Sequence, residues 1–356
     1  MPVTSVVLAE PRGFCAGVEM AIKALTWMVR VFEPPVYCYH EIVHNQWVVQ
    51  MFEDAGVVFV DEVDEVPEGA PVMLSAHGSA PVVVEGAKAQ AGIVIDAVCP
   101  LVTKVHHEVK RAAEKGFDII YVGHEGHDEA LGTMAVAPEA ITLVEPEWDL
   151  DRFQPEDPER VTLLAQTTLG TYEWQSVMDQ AQERYPTLAT PRRSDLCYAT
   201  TNRQSAVAAL AEDCDVILVV GSESSSNTKA LVRVSNEHGV PAHRIDDAGS
   251  IDASWLDGAA TVGVTAGASA PDHLVQEVID RVGPTEGVRL LRVTEEDEYF
   301  PLPPQLRHLL RALEALVRAG FGGPGATGPG LLERDTEWTA TEALGELASP
   351  GSAFGA

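Results

Sequence analysis

The sequence is poor in positive charge, in aromatic residues and in long apolar runs. Lys and Arg total 24 against 54 Asp and Glu, which gives 356 residues a net charge of −30. So acidic a chain repels nucleic acid phosphates and anionic membranes over most of its surface. No apolar run approaches the roughly 20 residues that a membrane helix needs, and the amino terminus lacks the features of a secretory signal. We therefore expect a cytoplasmic protein that binds neither nucleic acid nor membrane.

Cysteine is also scarce, with five residues and no C-x-x-C pair. In a reducing compartment such thiols are better explained as ligands, nucleophiles or core residues than as disulfides. Cys38 and Cys214 lie in apolar runs, where a small buried residue is the ordinary expectation. The other three each follow an apolar stretch and precede a helical pattern, namely Cys15, Cys99 and Cys197.

The matched setting of these three cysteines suggests a shared role. A helix N-terminus stabilises a thiolate. Three converging thiolates would form either a three-cysteine zinc site or an iron-sulfur cluster in which one iron lacks a protein thiolate. The absence of a C-x-x-C pair disfavours structural zinc.

Short β-rich runs alternate with amphipathic helical patterns along almost the whole chain. This alternation predicts parallel sheets covered by helices. The predicted strands often end in small or polar residues, and the carboxyl ends of parallel strands are where such sheets bind ligands. The three cysteines are 84 and 98 residues apart, a spacing that a threefold pseudo-repeat would leave.

Two matches to known patterns are misleading. GPGATG at 323–328 fits the dinucleotide fingerprint, but no strand precedes it and prolines interrupt it, so we interpret it as a linker. HEIVH at 40–44 fits a zinc-protease pattern, which requires both histidines on one helix face. The preceding YCYHEIV predicts a strand, and Asn45 is the expected N-cap of the next helix. A zinc hydrolase that uses His40 and His44 is therefore the less favoured alternative.

Polar residues suited to ligand binding follow several predicted strands. Three histidines lie near strand ends beside glycine or asparagine, namely His44, His77 and His127. Segments 222–227 and 265–271 supply hydroxyl, amide and backbone donors that can hold a phosphate without a P-loop. Glu129 lies two residues after His127, where a carboxyl group could transfer protons.

Ten motifs occur in order between about residues 5 and 305: PRGFCAGV, HEIVHN, SAHGSAP, DAVCPLVTKVH, GHEGHDEALGT, QTTL, CYATTNRQ, SSSN, GVTAGASAP and YFPLP. In order and spacing they resemble the LytB/IspH family of 4-hydroxy-3-methylbut-2-enyl diphosphate reductases. The resemblance implies an α/β fold, a trefoil of three pseudo-threefold-related α/β domains with small, mostly parallel sheets around a central iron-sulfur cavity.

The resemblance also implies functional residues. One 4Fe-4S cluster per chain would be bound by Cys15, Cys99 and Cys197. The substrate would lie among His44, His77, His127, Thr168, Ser225, Ser226, Asn227 and Ser269. Glu129 would deliver protons, Thr168 would hydrogen-bond near the substrate hydroxyl, and His127 would lie close by. Two electrons, from a ferredoxin or flavodoxin, would convert the allylic diphosphate into isopentenyl or dimethylallyl diphosphate.

The predicted segments are an amino-terminal strand at 1–14 that packs with the third domain, α/β domains at 15–98, 99–196 and 197–285, a closing segment at 286–305, and a helix with a disordered acidic tail at 306–356.

Three features depart from the family pattern, namely the extension after about residue 305, the serine-rich SESSSNTKA and Leu131. A non-catalytic relative would lack Glu129 or the diphosphate residues, which are all present. An acidic donor would be repelled, so docking requires a local basic patch that the sequence does not reveal.

Overall fold

The computed structural model describes residues 2–146, 150–321, 332 and 335–348. In these residues the strands are β1 (Ser5–Glu10), β2 (Val36–Tyr39), β3 (Val57–Val60), β4 (Pro71–Leu74), β5 (Ile93–Asp96), β6 (Asp118–Val122), β7 (Ile141–Val144), β8 (Val161–Ala165), β9 (Val216–Val220), β10 (Ala242–Ile245), β11 (Thr261–Ala266) and β12 (Val288–Arg292). The α-helices are α1 (Ala16–Val31), α2 (Gln46–Asp54), α3 (Pro81–Gln90), α4 (Pro100–Glu114), α5 (Asp128–Met134), α6 (Thr171–Arg184), α7 (Tyr198–Ala211), α8 (Ser226–Glu237), α9 (Asp272–Val282), α10 (Pro304–Leu316) and α11 (Ala340–Leu347). Among the described residues, none of these helices has both the length and the apolar character needed to cross a bilayer.

The strands form three small sheets in which every named pair is parallel. The sheet orders are β10-β9-β11-β1-β12, β3-β2-β4-β5 and β7-β6-β8. The predicted α/β class with small parallel sheets is confirmed. Because β1 lies between β11 and β12, the amino-terminal strand completes a sheet whose other strands come from the second half of the chain.

The chain divides into two compact units. The first unit contains residues 2–15 and 101–297, with the sheet of β1 and β9–β12 and the sheet of β6–β8. The second unit contains residues 16–100 and the described residues from 298 onward, with the sheet of β2–β5. Each predicted α/β segment holds the main strands of one sheet, while the domain boundaries themselves stay a prediction.

Continuous apolar runs mark the strands that are covered on both faces. Every residue of β8 and of β9 is buried. On the sheet of β6–β8, α6 packs against one face through Val177 and Ala181, and α4 contributes Val105 and Val109 to the apolar cluster on the other. Burial of these side chains supplies most of the free energy that holds helix to sheet.

The HEIVH segment does not form a helix that carries both histidines. Strand β2 ends at Tyr39, earlier than predicted, and His40 has a φ of 58°. Asn45 is the N-cap of α2, and its side chain accepts a hydrogen bond from the Val48 N–H at 3.1 Å. The predicted boundary is confirmed, and the zinc-protease arrangement does not form.

The prediction of a disordered tail is wrong for part of the chain. Helix α10 lies where a helix was predicted, but α11 is a second helix, and it packs on α1. Trp338 is buried and meets Trp27 edge-on at 5.6 Å between ring centroids. Thr339 and Glu342 form a capping box, the local signal that the compositional argument overlooked. The GPGATG motif lies outside the described residues.

A buried ion pair also ties this carboxyl-terminal segment to α1. Lys23 Nζ lies 3.0 Å from the Asp335 carboxylate and donates to the Asp335 carbonyl at 2.7 Å. Tyr299 donates a hydrogen bond to the same carboxylate. Both charged side chains are 4% exposed, so folding has removed them from water. Each charge is stabilised instead by the opposite charge of its partner.

We expect Asp335→Ala to lower the free energy of unfolding by about 3 kcal/mol, because Lys23 then remains buried without its counter-ion. Lys23→Met combined with Asp335→Leu should recover most of that loss. Asp54→Ala, at an exposed position of α2 in the same unit, is the matched control and should cost less than about 0.5 kcal/mol. Urea unfolding measures all three, and equal losses for Asp335→Ala and Asp54→Ala would contradict the interpretation.

Candidate active site

The three motif cysteines all lie at helix starts, as predicted. Cys197 is the N-cap of α7, and its Sγ accepts a hydrogen bond from the Thr200 N–H at 3.2 Å. Cys15 directly precedes α1, and Cys99 directly precedes α4. These three cysteines are partly exposed, whereas the cysteines assigned to the core are buried, namely Cys38 and Cys214.

In the first unit, a buried arginine connects the chain segments that carry Cys15 and Cys197. Arg203 of α7 is 0% exposed. Its guanidinium donates to the Gly13 carbonyl at 2.8 Å and to the Ala199 carbonyl at 3.0 Å, and it forms an ion pair with Glu296 at 3.0 Å. The loop before Cys15 is thereby fixed to the helix that begins after Cys197.

Gly13 is itself required at this position. Its φ is +67°, a left-handed conformation that side chains with a Cβ rarely adopt, and a Cβ would approach the Ala270 carbonyl oxygen to 3.1 Å. The Cys15 N–H donates to the Ala268 carbonyl of the same loop at 3.2 Å. The position of Cys15 is therefore set by its own N–H and by the contacts of Gly13 before it.

The protonation behaviour of Cys197 argues against a nucleophilic thiol. Burial raises the pKa of its thiol to about 11, and the neighbouring Cys15 raises the pKa further, against hydrogen bonds from Thr200 that lower it. A nucleophilic cysteine requires a lowered pKa. A bound metal deprotonates a coordinating thiol outright, so the two thiols fit a metal or cluster site.

Glu129 is the buried acid of the site. It lies in α5 and is 2% exposed. Thr167 donates to the carboxylate twice, from its N–H at 2.6 Å and from its hydroxyl at 3.0 Å. Burial raises the pKa of Glu129 to about 7, although the Thr167 hydrogen bonds oppose the increase. Such a carboxyl group can hold or release a proton at neutral pH.

Thr167 also connects Glu129 to a cysteine. Its carbonyl accepts a hydrogen bond from the Cys197 N–H at 3.0 Å. Thr168, the threonine expected near the substrate hydroxyl, accepts a hydrogen bond from Gln166 Nε2 at 2.8 Å. Thr167 is therefore the residue that binds Glu129, and the expected contact of Thr168 with the substrate hydroxyl stays a prediction.

His127 acts locally as the N-cap of α5. Its Nδ1 accepts a hydrogen bond from the Glu129 N–H at 3.1 Å. In the neutral imidazole this places the ring proton on Nε2. The same contact fixes the first turn of α5, where Glu129 lies, so His127 positions the acid.

The predicted phosphate-binding residues of the first unit gather at the start of α8 and in the loop after β11. Ser225 is the N-cap of α8, and Asn227 Oδ1 accepts from the Ala268 N–H at 2.9 Å, beside Ser269. The Ser226 hydroxyl and the Asn227 side-chain amide nitrogen are buried and have no hydrogen-bond partner within the described residues. Buried donors of this kind, at a helix N-terminus, suit an anionic ligand.

The second unit holds the remaining predicted residues together. The rings of His44 and His77 stack with centroids 3.9 Å apart. His44 Nδ1 lies 3.3 Å from a Glu41 carboxylate oxygen. The Cys99 N–H donates to the Ala76 carbonyl at 3.0 Å, next to His77 in the chain. This unit therefore places two imidazoles close to the segment that carries the third cysteine.

Three residues of the site were not predicted from the sequence, namely Thr167, Arg203 and Glu296. Thr167 and Thr168 are adjacent hydroxyl residues, and no local signal says which of them faces Glu129. Two partners of Arg203, Gly13 and Glu296, are 190 and 93 residues away in the chain, so their pairing is a property of the fold.

Comparison with known proteins assigns the family. A family model described as LytB protein matches residues 6–283. The chain belongs to the LytB family. It is 47% identical over 326 residues to 4-hydroxy-3-methylbut-2-enyl diphosphate reductase from Streptomyces avermitilis, covering 90% of this chain and 96% of that relative. The reductase of the same name from Rhodopirellula baltica is 48% identical over 304 residues, covering 85% of this chain and 95% of the relative.

The solved structure of one relative has the same fold as this LytB chain. The E-1-hydroxy-2-methyl-but-2-enyl-4-diphosphate reductase from Plasmodium falciparum has a TM-score of 0.84 and 33% sequence identity. The match covers 88% of this chain and all of that one. The fold assigned from the sheets and the family assigned from the sequence therefore agree.

We expect Thr167→Val to raise the pKa of Glu129 above its value of about 7, because the variant removes the hydroxyl that stabilises the carboxylate. A titration followed by the ¹³C shift of the Glu129 carboxyl measures the change. Thr168→Val is the matched control, since the Thr168 hydroxyl bonds Gln166. A pKa that stays unchanged or falls in Thr167→Val would contradict the assigned contact.

Proposed function

We propose that this chain is an iron-sulfur oxidoreductase that converts (E)-4-hydroxy-3-methylbut-2-enyl diphosphate into isopentenyl diphosphate and dimethylallyl diphosphate. This would be the last step of the methylerythritol phosphate route to isoprenoid precursors. The observation that carries the proposal is a buried carboxyl group, Glu129, joined through Thr167 to the backbone of a metal-suited cysteine, Cys197. The named relatives catalyse this type of reduction according to their names.

We assign one 4Fe-4S cluster per chain to Cys15, Cys99 and Cys197. Three thiolates leave one iron without a protein thiolate, and that coordination position suits a substrate. The raised pKa of the Cys197 thiol is compatible with ligation, because a bound cation would deprotonate the thiol. When bound, the cluster supplies electrons and a Lewis-acidic iron.

The diphosphate would be held by neutral donors more than by fixed cations. Ser225, Ser226 and Asn227 present hydroxyl, amide and N–H groups at the start of α8, and Ser269 adds another hydroxyl nearby. The imidazoles of the second unit, His44 and His77, would complete the phosphate contacts. Neutral donors of this kind are compatible with a chain of net charge −30.

Glu129 would protonate the departing hydroxyl. Hydroxide is a poor leaving group, so transfer of a proton lets water depart instead. Burial keeps Glu129 partly protonated at neutral pH. Thr168, fixed by Gln166, would hydrogen-bond near the substrate hydroxyl, and His127 would present its Nε2 proton to the substrate.

The two electrons would come from a ferredoxin or a flavodoxin. The reaction consumes two electrons and two protons. Glu129 can donate a proton, but a carboxyl group cannot supply an electron. We also assign the enzyme to the cytoplasm, because thiolate ligands must stay reduced until the cluster is assembled.

Metal analysis combined with turnover tests the proposal. Protein purified without oxygen should contain about four irons with matching sulfide per chain, and it should reduce the hydroxylated diphosphate with reduced viologen. Each of the substitutions Cys15→Ser, Cys99→Ser and Cys197→Ser should lower the iron content and abolish turnover. The matched control, Cys214→Ala, should change neither. Stoichiometric zinc without sulfide, persisting after attempted cluster reconstitution, would refute the reductase.

The pH dependence tests the role of Glu129. Its acid form is the proton donor, and this form declines as pH rises through a pKa of about 7, so kcat should fall above neutral pH. Glu129→Gln should lower kcat by at least about 100-fold at unchanged iron content, because an amide cannot donate the proton. Glu125→Gln, at an exposed position of the loop that precedes α5, is the matched control. Retention of turnover in Glu129→Gln would remove this residue from the mechanism.

A further inference from the structure

One groove on the first unit differs in charge from the chain as a whole. It has a volume of about 510 Å³ and is lined by five cationic side chains, Lys104, Arg111, Lys115, Arg192 and Arg193. Glu108 is the acidic residue of its lining. The chain has 24 Lys and Arg and a net charge of −30, so a groove with five cations is a local reversal of sign. We call these five residues and their surroundings the basic groove.

Three of the five cations are not neutralised by the protein. Arg111 forms an ion pair with Glu108, and Lys104 with Asp195. Lys115, Arg192 and Arg193 are exposed, and no ion-pair partner for them occurs among the described residues. Their charge is therefore available to an anionic partner.

The basic groove adjoins the chain segments that lead to two of the proposed cluster ligands. Lys104 lies on α4, five residues after Cys99, and Arg193 lies four residues before Cys197. Lys104 Nζ donates to the Arg193 carbonyl at 3.0 Å and to the Ser194 carbonyl at 2.8 Å.

Lys104 also binds a buried acidic residue that follows Arg193 and Ser194 in the chain. It forms an ion pair at 3.1 Å with Asp195, whose carboxylate also accepts from the Ala165 N–H at 3.1 Å at the end of β8. The loop of Arg192 and Arg193 is thus fixed to the start of α4 and to the central part of the unit. A partner bound in the groove would contact rigid segments that continue directly to the cysteines.

The extent of the cations favours a macromolecule over a small anion. From Lys104 to the end of α4 at Glu114 the helix rises about 15 Å, Lys115 follows directly, and the two arginines lie on the facing loop. A single phosphate group would engage one end of such a row. A protein surface that carries several carboxylates would engage all of it, with Ala112 and Phe117 as apolar contacts between the charges.

We propose that the basic groove docks the electron donor, a small acidic protein that carries a redox cofactor. This inference rests on the proposed function, which requires two electrons from outside the chain. Two acidic proteins repel at long range, but at physiological ionic strength charges are screened beyond about 8 Å. A local patch of opposite sign therefore determines orientation and association rate.

The test reverses the charge of the groove in the holoenzyme. Arg192→Glu combined with Arg193→Glu keeps the backbone carbonyl that Lys104 binds. Arg281→Glu combined with Arg311→Glu, at exposed positions elsewhere, is the matched control because it changes the net charge equally. Each protein is assayed with a reduced acidic 2Fe-2S ferredoxin and, separately, with reduced methyl viologen. Iron content and circular dichroism confirm that the variants fold, and Gln replaces Glu at both positions if the first variant does not.

We expect the groove variant to lose at least tenfold in kcat/KM for ferredoxin while viologen-driven turnover falls by less than twofold. The control should stay within twofold of the wild type with both reductants. The ferredoxin rate of the wild type should fall steeply with ionic strength, and the variant should show a weaker salt dependence, because fewer charges then steer the encounter.

Other outcomes overturn the docking proposal. An unchanged ferredoxin kcat/KM, a loss equal to that of the control, or an equal loss with both reductants would each exclude the groove as the docking surface. Inhibition by pyrophosphate of the wild type but not of the groove variant, at constant ionic strength and with a ferredoxin rate insensitive to salt, would assign the groove to a small anion instead. Failure of the iron-loaded wild type to turn over with viologen would refute the proposed function itself, which separates the two failures.

Discussion

The buried guanidinium of Arg203 is the interaction on which the site of the first unit depends. A charge that is fully withdrawn from water is tolerated only if it is paired and its donors are satisfied. Arg203 meets this condition through two backbone carbonyls and Glu296. Because one of those carbonyls belongs to Gly13, the requirement to satisfy the charge also fixes the loop that leads to Cys15.

The pKa of Glu129 is likewise set by burial and by the hydrogen bonds that oppose its effect. Removal from water raises the pKa of Glu129, and two hydrogen bonds from Thr167 keep the increase moderate. Full burial without those donors would hold the group protonated, and exposure would leave it ionised. The balance near neutrality is what suits a proton donor. The Thr167 carbonyl also binds the Cys197 N–H, so the acid and the cysteine share one support.

Charge is arranged on two scales in this protein. The chain as a whole is strongly acidic, while the proposed substrate contacts are mostly neutral hydroxyl, amide and imidazole groups. The basic groove is the local exception, and its exposed arginines lie on a loop that Lys104 fixes in place. Net charge thus describes the average surface but not the surface that an acidic partner would meet.

Local patterns in the sequence determined the secondary structure and the residue types of the site. Cysteines before helical patterns, apolar runs between glycine-rich turns and Asn45 before α2 are signals carried by neighbouring residues, and each was confirmed. The family motifs pointed to Glu129 as the candidate acid, but not to Thr167, which binds its carboxylate. The tail was misjudged because an average over composition hid the capping box at Thr339 and the apolar face of α11.

Only the tertiary structure decided which distant groups meet. The contacts of Arg203 with Gly13, of Glu129 with Thr167 and of Lys23 with Asp335 join residues between 38 and 312 positions apart. The basic groove likewise combines α4 with a loop some 90 residues further along the chain. Such pairings cannot be read from sequence spacing, because the cost of a buried charge or donor is set by whatever the completed fold brings within hydrogen-bonding distance.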